Sequence, residues 1–143
     1  MTELAAYAGL FLWSFLAATI LPLGSEPALV GVVRQYDQFM TPVLVATAGN
    51  YLGACTTWLI GRGVAGAVAH RRKLPRGYEQ ASTIFRRYGQ PSLLLSWVPI
   101  IGDAIVAVAG AARVPFSPFS LWVIAGKLAR YAVVAWLALS VAR

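Results

Sequence analysis

The chain has one cysteine and one histidine in 143 residues, and each scarcity removes a class of chemistry. Cys55 has no partner for an internal disulfide, and its place between Ala54 and Thr56 in an apolar run reads as packing. His70 stands without a second histidine or cysteine, so metal-ligand spacing is missing and it reads as a solvated surface residue. No nucleophile has a histidine nearby, and neither a P-loop nor a dinucleotide-binding glycine motif occurs, so no enzyme, metal or cofactor is expected. Charge is scarce as well. Charged residues make up 12% of the chain and hydrophobic ones 59%, whereas soluble domains average about 25% and about 45–50%. That balance excludes an ordinary soluble domain and implies an integral membrane protein. The first apolar run lacks a basic amino-terminal region and continues too long for a cleavable signal peptide, so it is expected to stay.

What is present is basic. The formal charge of +7 and pI near 10.2 would suit nucleic acid, but the cations collect between the apolar segments and beside their ends, which is a topology signal. Between His70 and Arg87 stand Arg71, Arg72, Lys73, Arg76, Arg86 and Arg87 against Glu79 alone, and this stretch is expected in the cytoplasm. Tyr78, Ala81, Ile84, Phe85 and Tyr88 recur in it at helical spacing, as in an interfacial amphipathic helix. The apolar runs Gln38 to Gly61 and Phe116 to Ala142 are long enough to span a membrane. In the first, Gly49 and Gly53 make a small-xxx-small pattern that lets helices approach closely.

Two interruptions organise the rest. Pro99 and Gly102 precede Asp103, and Pro22, Gly24 and Pro27 surround Glu26, each acid lying four residues after a proline in a charge-poor run. Such residues break helices, and hydrocarbon does not satisfy the freed backbone groups, whereas a cavity does. Neither arm of the second break is long enough to span, and the piece after the first is equally short. The expected architecture is therefore all-α: a polytopic membrane protein with two inverted re-entrant helical hairpins, each followed by a transmembrane helix. It forms one domain, with the first unit over 1–69, a basic linker over 70–88 and the second unit over 89–143. A shift of 77 residues carries Pro22 to Pro99, Glu26 to Asp103, Phe39 to Phe116, Leu44 to Leu121 and Gly49 to Gly126. Ser25 and Ser96 read as small polar residues that satisfy backbone at the breaks.

Charges inside apolar segments mark function. Glu26 and Asp103 are the candidate proton-coupling or ion-pairing groups. Lys127 and Arg130, one turn apart on the last helix, and Arg62 and Arg113, nearer the membrane interface, are candidates for binding a phosphate headgroup. The expected activity is movement of an anionic lipid between leaflets, with proton coupling as a further expectation. The rivals are a proton- or ion-coupled transporter of a small solute and a non-transporting scaffold whose buried charges only fix packing.

The paired proline-and-acid breaks, Gly49-Asn50-Tyr51-Leu52-Gly53 followed by Ile60-Gly61-Arg62, and Ser96-Trp97-Val98-Pro99-Ile100-Ile101-Gly102-Asp103 with Ala109-Gly110 resemble the DedA family, also called VTT-domain proteins. The likeness covers nearly the whole chain and is greatest to the short YqaA-type members. It implies facing re-entrant hairpins, a bacterial inner-membrane location and lipid movement, with undecaprenyl phosphate or phospholipids as substrates. Larger members carry arginines around the second-hairpin proline, where this chain has Ser96 and Gly102-Asp103, so their phosphate-binding role does not transfer to these positions. The short chain makes a homodimer the expected means of covering polar surface.

Overall fold

The computed structural model describes residues 2–19, 24–68 and 77–141, with side chains described outside 64–68. Among them every regular element is helical. These are α1 (Glu3–Thr19), α2 (Glu26–Tyr36), α3 (Met40–Val68), α4 (Tyr78–Tyr88), a 3₁₀ helix (Gln90–Trp97), α5 (Ile101–Ala111) and α6 (Phe116–Val141). Two stretches are long and apolar enough to cross a membrane, Met40–Gly63 and Phe116–Val141. Their outer faces expose Leu44, Leu52, Leu59, Ile60, Leu121, Leu128 and Trp136, an apolar surface that water would penalise and lipid would not.

Glycine sets how closely α3 is held. A Cβ at Gly53 would lie 2.5 Å from the Phe15 carbonyl oxygen and 2.7 Å from Ala18 Cβ. Gly49 meets the Phe11 backbone in the same way, so the small-residue stripe is the seam between α1 and α3. Thr57 crosses that seam, donating from Oγ1 to the Ala18 carbonyl at 3.0 Å. On the other long helix, a Cβ at Gly126 would stand 2.6 Å from the Leu94 carbonyl oxygen, which places the 3₁₀ helix against α6 as α1 lies against α3.

The two long helices run antiparallel and meet at mid-length. Tyr51 and Ser120 hydroxyls bond at 2.6 Å, and Trp58 stacks on Phe119 with centroids 5.4 Å apart. The short helices then cross over between halves. Arg34 of α2 reaches the Ala138 carbonyl of α6 at 3.4 Å, and Gly61 of α3 sits on the Ala107 backbone of α5. Both begin near the centre of the long helices and run away from it in opposite directions.

This arrangement yields two apolar cores. One is built from Trp58, Leu93, Ile105, Val106, Phe119 and Val123, the other from Leu10, Leu29, Val33, Val43, Tyr131 and Ala135. The polar residues described below lie between them. Helix α4 departs from the sequence expectation. Its Ala81 belongs to the first core, with Tyr78, Ile84 and Phe85 packed against it, so the apolar stripe covers protein rather than lying free on lipid. Arg86 and Arg87 remain on its exposed face. The basic positions 70–76 and Pro22 lie outside the described residues.

The breaks also differ in detail from their sequence reading. Pro27 occupies the first turn of α2, where a missing N–H costs nothing because first-turn amides have no intrahelical partner. Gly102 occupies the first turn of α5, where a Cβ would meet the Ser96 carbonyl oxygen at 2.5 Å. It is a close-packing glycine. The chain actually turns at Pro99 and Ile100, where Ile101 N–H donates to the Pro99 carbonyl at 2.7 Å across Ile100.

Candidate functional site

Lys127 is 2% exposed at the twelfth position of the 26-residue helix α6, and Asn50, 6% exposed, is the eleventh residue of α3. Their positions at the middle of the two long helices bring them together. Lys127 Nζ donates to Asn50 Oδ1. A lysine has only donors, so this contact also sets the orientation of the Asn50 amide.

Around this pair lies a small polar cavity lined by Gly24, Ser25, Ser96, Pro99, Ile100, Asp103 and Arg130, besides Asn50 and Lys127. Its volume of about 20 Å³ holds one or two water-sized groups, since a water needs about 10–15 Å³ by the same measure. Asp103 enters from the first turn of α5, and Glu26 opens α2. Both helices thus aim their amino ends, with the positive ends of their dipoles, toward this level. Asp103 interacts electrostatically with Lys127, while Glu26 makes a direct ion pair with Arg130.

Beside the cavity runs an apolar groove of about 630 Å³ between the 3₁₀ helix and α6. Leu94, Trp97, Ala125, Gly126, Ala129 and Val133 form most of its wall, and Glu26 and Arg130 are its charged residues. Leu94, Trp97 and Val133 are exposed, at 38%, 45% and 56%, so the groove opens sideways on the apolar surface. Pro99 and Arg130 line both spaces. A guanidinium therefore stands where polar cavity and apolar groove meet.

The candidate residues divide accordingly. Glu26, Asp103, Lys127, Arg130, Gly24 and Pro99 share this region. Arg62 does not line it. Its guanidinium covers the Trp58 ring at 5.2 Å, twelve residues from Asn50, or about 18 Å along a helix. Arg113 follows the carboxyl end of α5 at φ 57°, ten residues from Asp103 and about 15 Å away at helical rise. Both lie away from the cavity and the groove, so neither joins the candidate headgroup site.

Four contributors were not among the site residues the sequence suggests. Asn50 was hidden inside a glycine pattern that reads as packing, although the 77-residue offset maps it onto Lys127. Ser25 supplies no side-chain cap to α2 and instead hydrogen-bonds the Tyr131 hydroxyl. Ser96 is 3% exposed and its Oγ has no protein partner, though it lines the cavity. An orphaned buried hydroxyl costs roughly 1–3 kcal/mol, which a bound group would recover. Tyr131 gave no local signal, being one aromatic in an apolar helix.

Comparison with known proteins agrees with this architecture. The VTT domain matches residues 21–139, a range that holds both acids, both long helices and the whole cavity lining except Ala17. The chain belongs to the VTT-domain (DedA) family. It is 38% identical over 136 residues to the inner membrane protein YqaA of Escherichia coli strain K12, covering 94% of this chain and 92% of the relative. The YqaA protein of Shigella flexneri matches to the same extent. An uncharacterized protein of Haemophilus influenzae is 37% identical over 139 residues, covering 90% and 84%. No solved structure matches. This VTT-domain protein is a multi-pass protein of the bacterial inner membrane, with α3 and α6 as its long apolar helices.

Proposed function

We propose that this VTT-domain protein moves an anionic lipid, such as undecaprenyl phosphate or a phospholipid, between the leaflets of the inner membrane. The observation that carries the reading is the position of Arg130, shared between a polar cavity and an apolar groove that opens sideways. A lipid presents the same two parts, a charged head and a hydrocarbon tail. Arginine suits a phosphate because its planar fork donates paired hydrogen bonds. Lys127 stands farther in as a second positive charge, and the amino ends of α2 and α5 favour an anion at the same level.

In this reading α1 with α2, and the 3₁₀ helix with α5, are two re-entrant hairpins that dip into the bilayer from opposite faces. Glu26 holds Arg130 while the site is empty, and a phosphate replaces it. Glu26 and Asp103 are then the proton-exchanging groups, released from or returned to their cations as the lipid passes. A homodimer covers the polar flank of the short chain.

The test is reconstitution in liposomes that carry head-labelled phosphatidylglycerol or undecaprenyl phosphate. Leaflet exchange is expected to be faster with wild type than in empty vesicles and to fall to the empty-vesicle rate with Arg130→Ala. Equal exchange in wild type, Arg130→Ala, Asp103→Asn and empty vesicles overturns the proposal. Exchange that keeps its pH dependence in both Glu26→Gln and Asp103→Asn removes these acids as coupling groups.

One observation favours a second reading. The polar cavity has room for a water-sized group but not for a phosphate in this conformation, as would suit a proton- or ion-coupled transporter of a small solute. Solute uptake by the same liposomes without lipid exchange would favour it.

A further inference from the structure

Around the polar cavity most hydrogen-bonding groups are already engaged. Arg130 is held by Glu26, Ser25 by Tyr131, and Asn50 Oδ1 by Lys127. Three groups are not. The Ser96 hydroxyl is buried without a hydrogen-bond partner. The half-buried Asp103 carboxylate makes no direct hydrogen bond or ion pair among the described residues. Lys127 spends on Asn50 only one of the three donors that an ammonium carries, and at 2% exposure bulk solvent does not serve the others. Buried donors and acceptors of this kind demand partners, and all three residues line the same small space. Charge and size decide what fits it. Glu26 answers Arg130 and Asp103 answers Lys127, so no net charge is left over to hold an ion. A water needs about 10–15 Å³ and two to four polar partners, and the cavity offers about 20 Å³ with these three groups around it. Their chemistry complements that of water, because an ammonium only donates, an ionised carboxylate only accepts, and a hydroxyl does either.

We propose that the cavity is a binding site for one water molecule, which accepts from Lys127 Nζ, donates to the Asp103 carboxylate and completes its shell with Ser96 Oγ. Lys127 and Asp103 are then a water-separated pair, in contrast to the direct pair of Arg130 and Glu26. The contrast has a chemical consequence. Asp103 exchanges its partner, for a proton or for a passing polar group, by releasing a water, whereas Glu26 does so only by breaking an ion contact. Ser96 is the residue that fixes the water, since its hydroxyl has no other partner. The site holds whether the protein moves a lipid or a small solute.

The test is a crystal structure of the full chain grown from a lipidic mesophase, at a resolution that shows ordered waters, with rubidium bromide as the salt. Wild type is expected to hold one density peak about 2.5–3.2 Å from Lys127 Nζ, from an Asp103 carboxylate oxygen and from Ser96 Oγ, the range of ordinary hydrogen bonds. Rubidium and bromide both scatter anomalously, and no anomalous signal is expected at the peak. In Ser96→Ala, which removes one of three partners, the peak is expected to drop at least about twofold in height, and Ser96→Thr, which keeps a hydroxyl, should retain it. An Asp103 carboxylate in direct contact with Lys127, or a peak that does not touch Asp103, overturns the proposal. An anomalous peak overturns it as well, because the occupant is then an ion. A peak of undiminished height in Ser96→Ala overturns the part given to Ser96.

Discussion

The two helix breaks look alike in sequence and differ in what they do with their acid. At the first, Glu26 is in direct ion contact with Arg130 at the edge of a groove, where the two side chains keep 27% and 16% of their surface. At the second, Asp103 faces Lys127, which is 2% exposed and hydrogen-bonded to Asn50. One cation is reachable from the lipid side and the other is buried. The difference teaches that a repeated motif supplies equivalent charges but not equivalent accessibility. Accessibility comes from what packs around each acid, and here Glu26 lines the groove while Asp103 lines only the small cavity.

The buried cation should dominate stability. Lys127→Met keeps the length of the side chain but leaves Asn50 Oδ1 without its donor and takes a nearby positive charge from Asp103. A buried acceptor left unsatisfied beside a half-buried carboxylate costs about 3 kcal/mol. Thermal unfolding in detergent is expected to show a loss of that order, largely recovered when Asp103→Asn is added. If Arg130→Met destabilises the protein as much as Lys127→Met, the distinction between a buried and an open cation is wrong.

Next in size is the contact that shapes the open side. Gly126→Val would place a branched side chain against the Leu94 carbonyl, where a Cβ alone is already at 2.6 Å. The neighbour is backbone of the 3₁₀ helix and yields only by moving, with an overpacking cost of about 1–3 kcal/mol. Because Gly126 also lines the groove, lipid exchange should fall in step. Gly49→Val costs about the same through Phe11, yet it touches no groove residue. Stability lost at both sites but exchange changed more at Gly126 would sharpen the comparison, and equal loss of exchange at both would remove the groove from it.

The open ion pair comes third. Glu26→Gln keeps a hydrogen-bonding group beside Arg130 but removes the charge, and partial exposure limits the cost to about 1 kcal/mol. It should also free the guanidinium, so that dodecyl phosphate binds more tightly to the variant than to wild type. Tighter binding with slower release is the expected calorimetric and kinetic pattern. Unchanged affinity would mean that Glu26 and the anion do not compete for Arg130.

Much of this was legible in the chain because it follows from short-range rules. The long helices come from uncharged runs, and the short ones from prolines and acids that interrupt them. The clustering of Glu26, Asp103, Lys127 and Arg130 was legible because buried charge needs opposite charge. What the chain concealed depends on packing between distant segments. Asn50 gains meaning only when α6 is laid against α3, and Tyr131 only when α2 starts beside it. Arg62 and Arg113 shared composition with the cavity cations but not depth, which is a matter of helix length. The stripe on α4 has the period of a membrane-surface helix and of a core-packed one, and periodicity does not tell these apart.

The smallest effect should have the opposite sign. Ile100, the residue before α5, at φ 67° and ψ −59°, is the central residue of a γ-turn of the rare, strained hand, whereas Ser25, the residue before α2, sits at φ −89° and ψ 2°. A β-branched side chain at positive φ costs about 1–3 kcal/mol. Ile100 is 49% exposed, so Ile100→Gly gives up little packing, and the added freedom of glycine in the unfolded chain costs about 0.5–1 kcal/mol. The net expectation is a gain of about 1 kcal/mol, read as a higher melting temperature in detergent, with no gain from Ser25→Gly. Strain kept at this tip implies a use there, since Pro99 and Ile100 wall the cavity that is too small for a phosphate. A relaxed turn should hold that wall in place, so Ile100→Gly is expected to be more stable and slower in lipid exchange. If the variant is more stable and equally fast, the second tip is strained for reasons of packing, and the turn has no part in exchange.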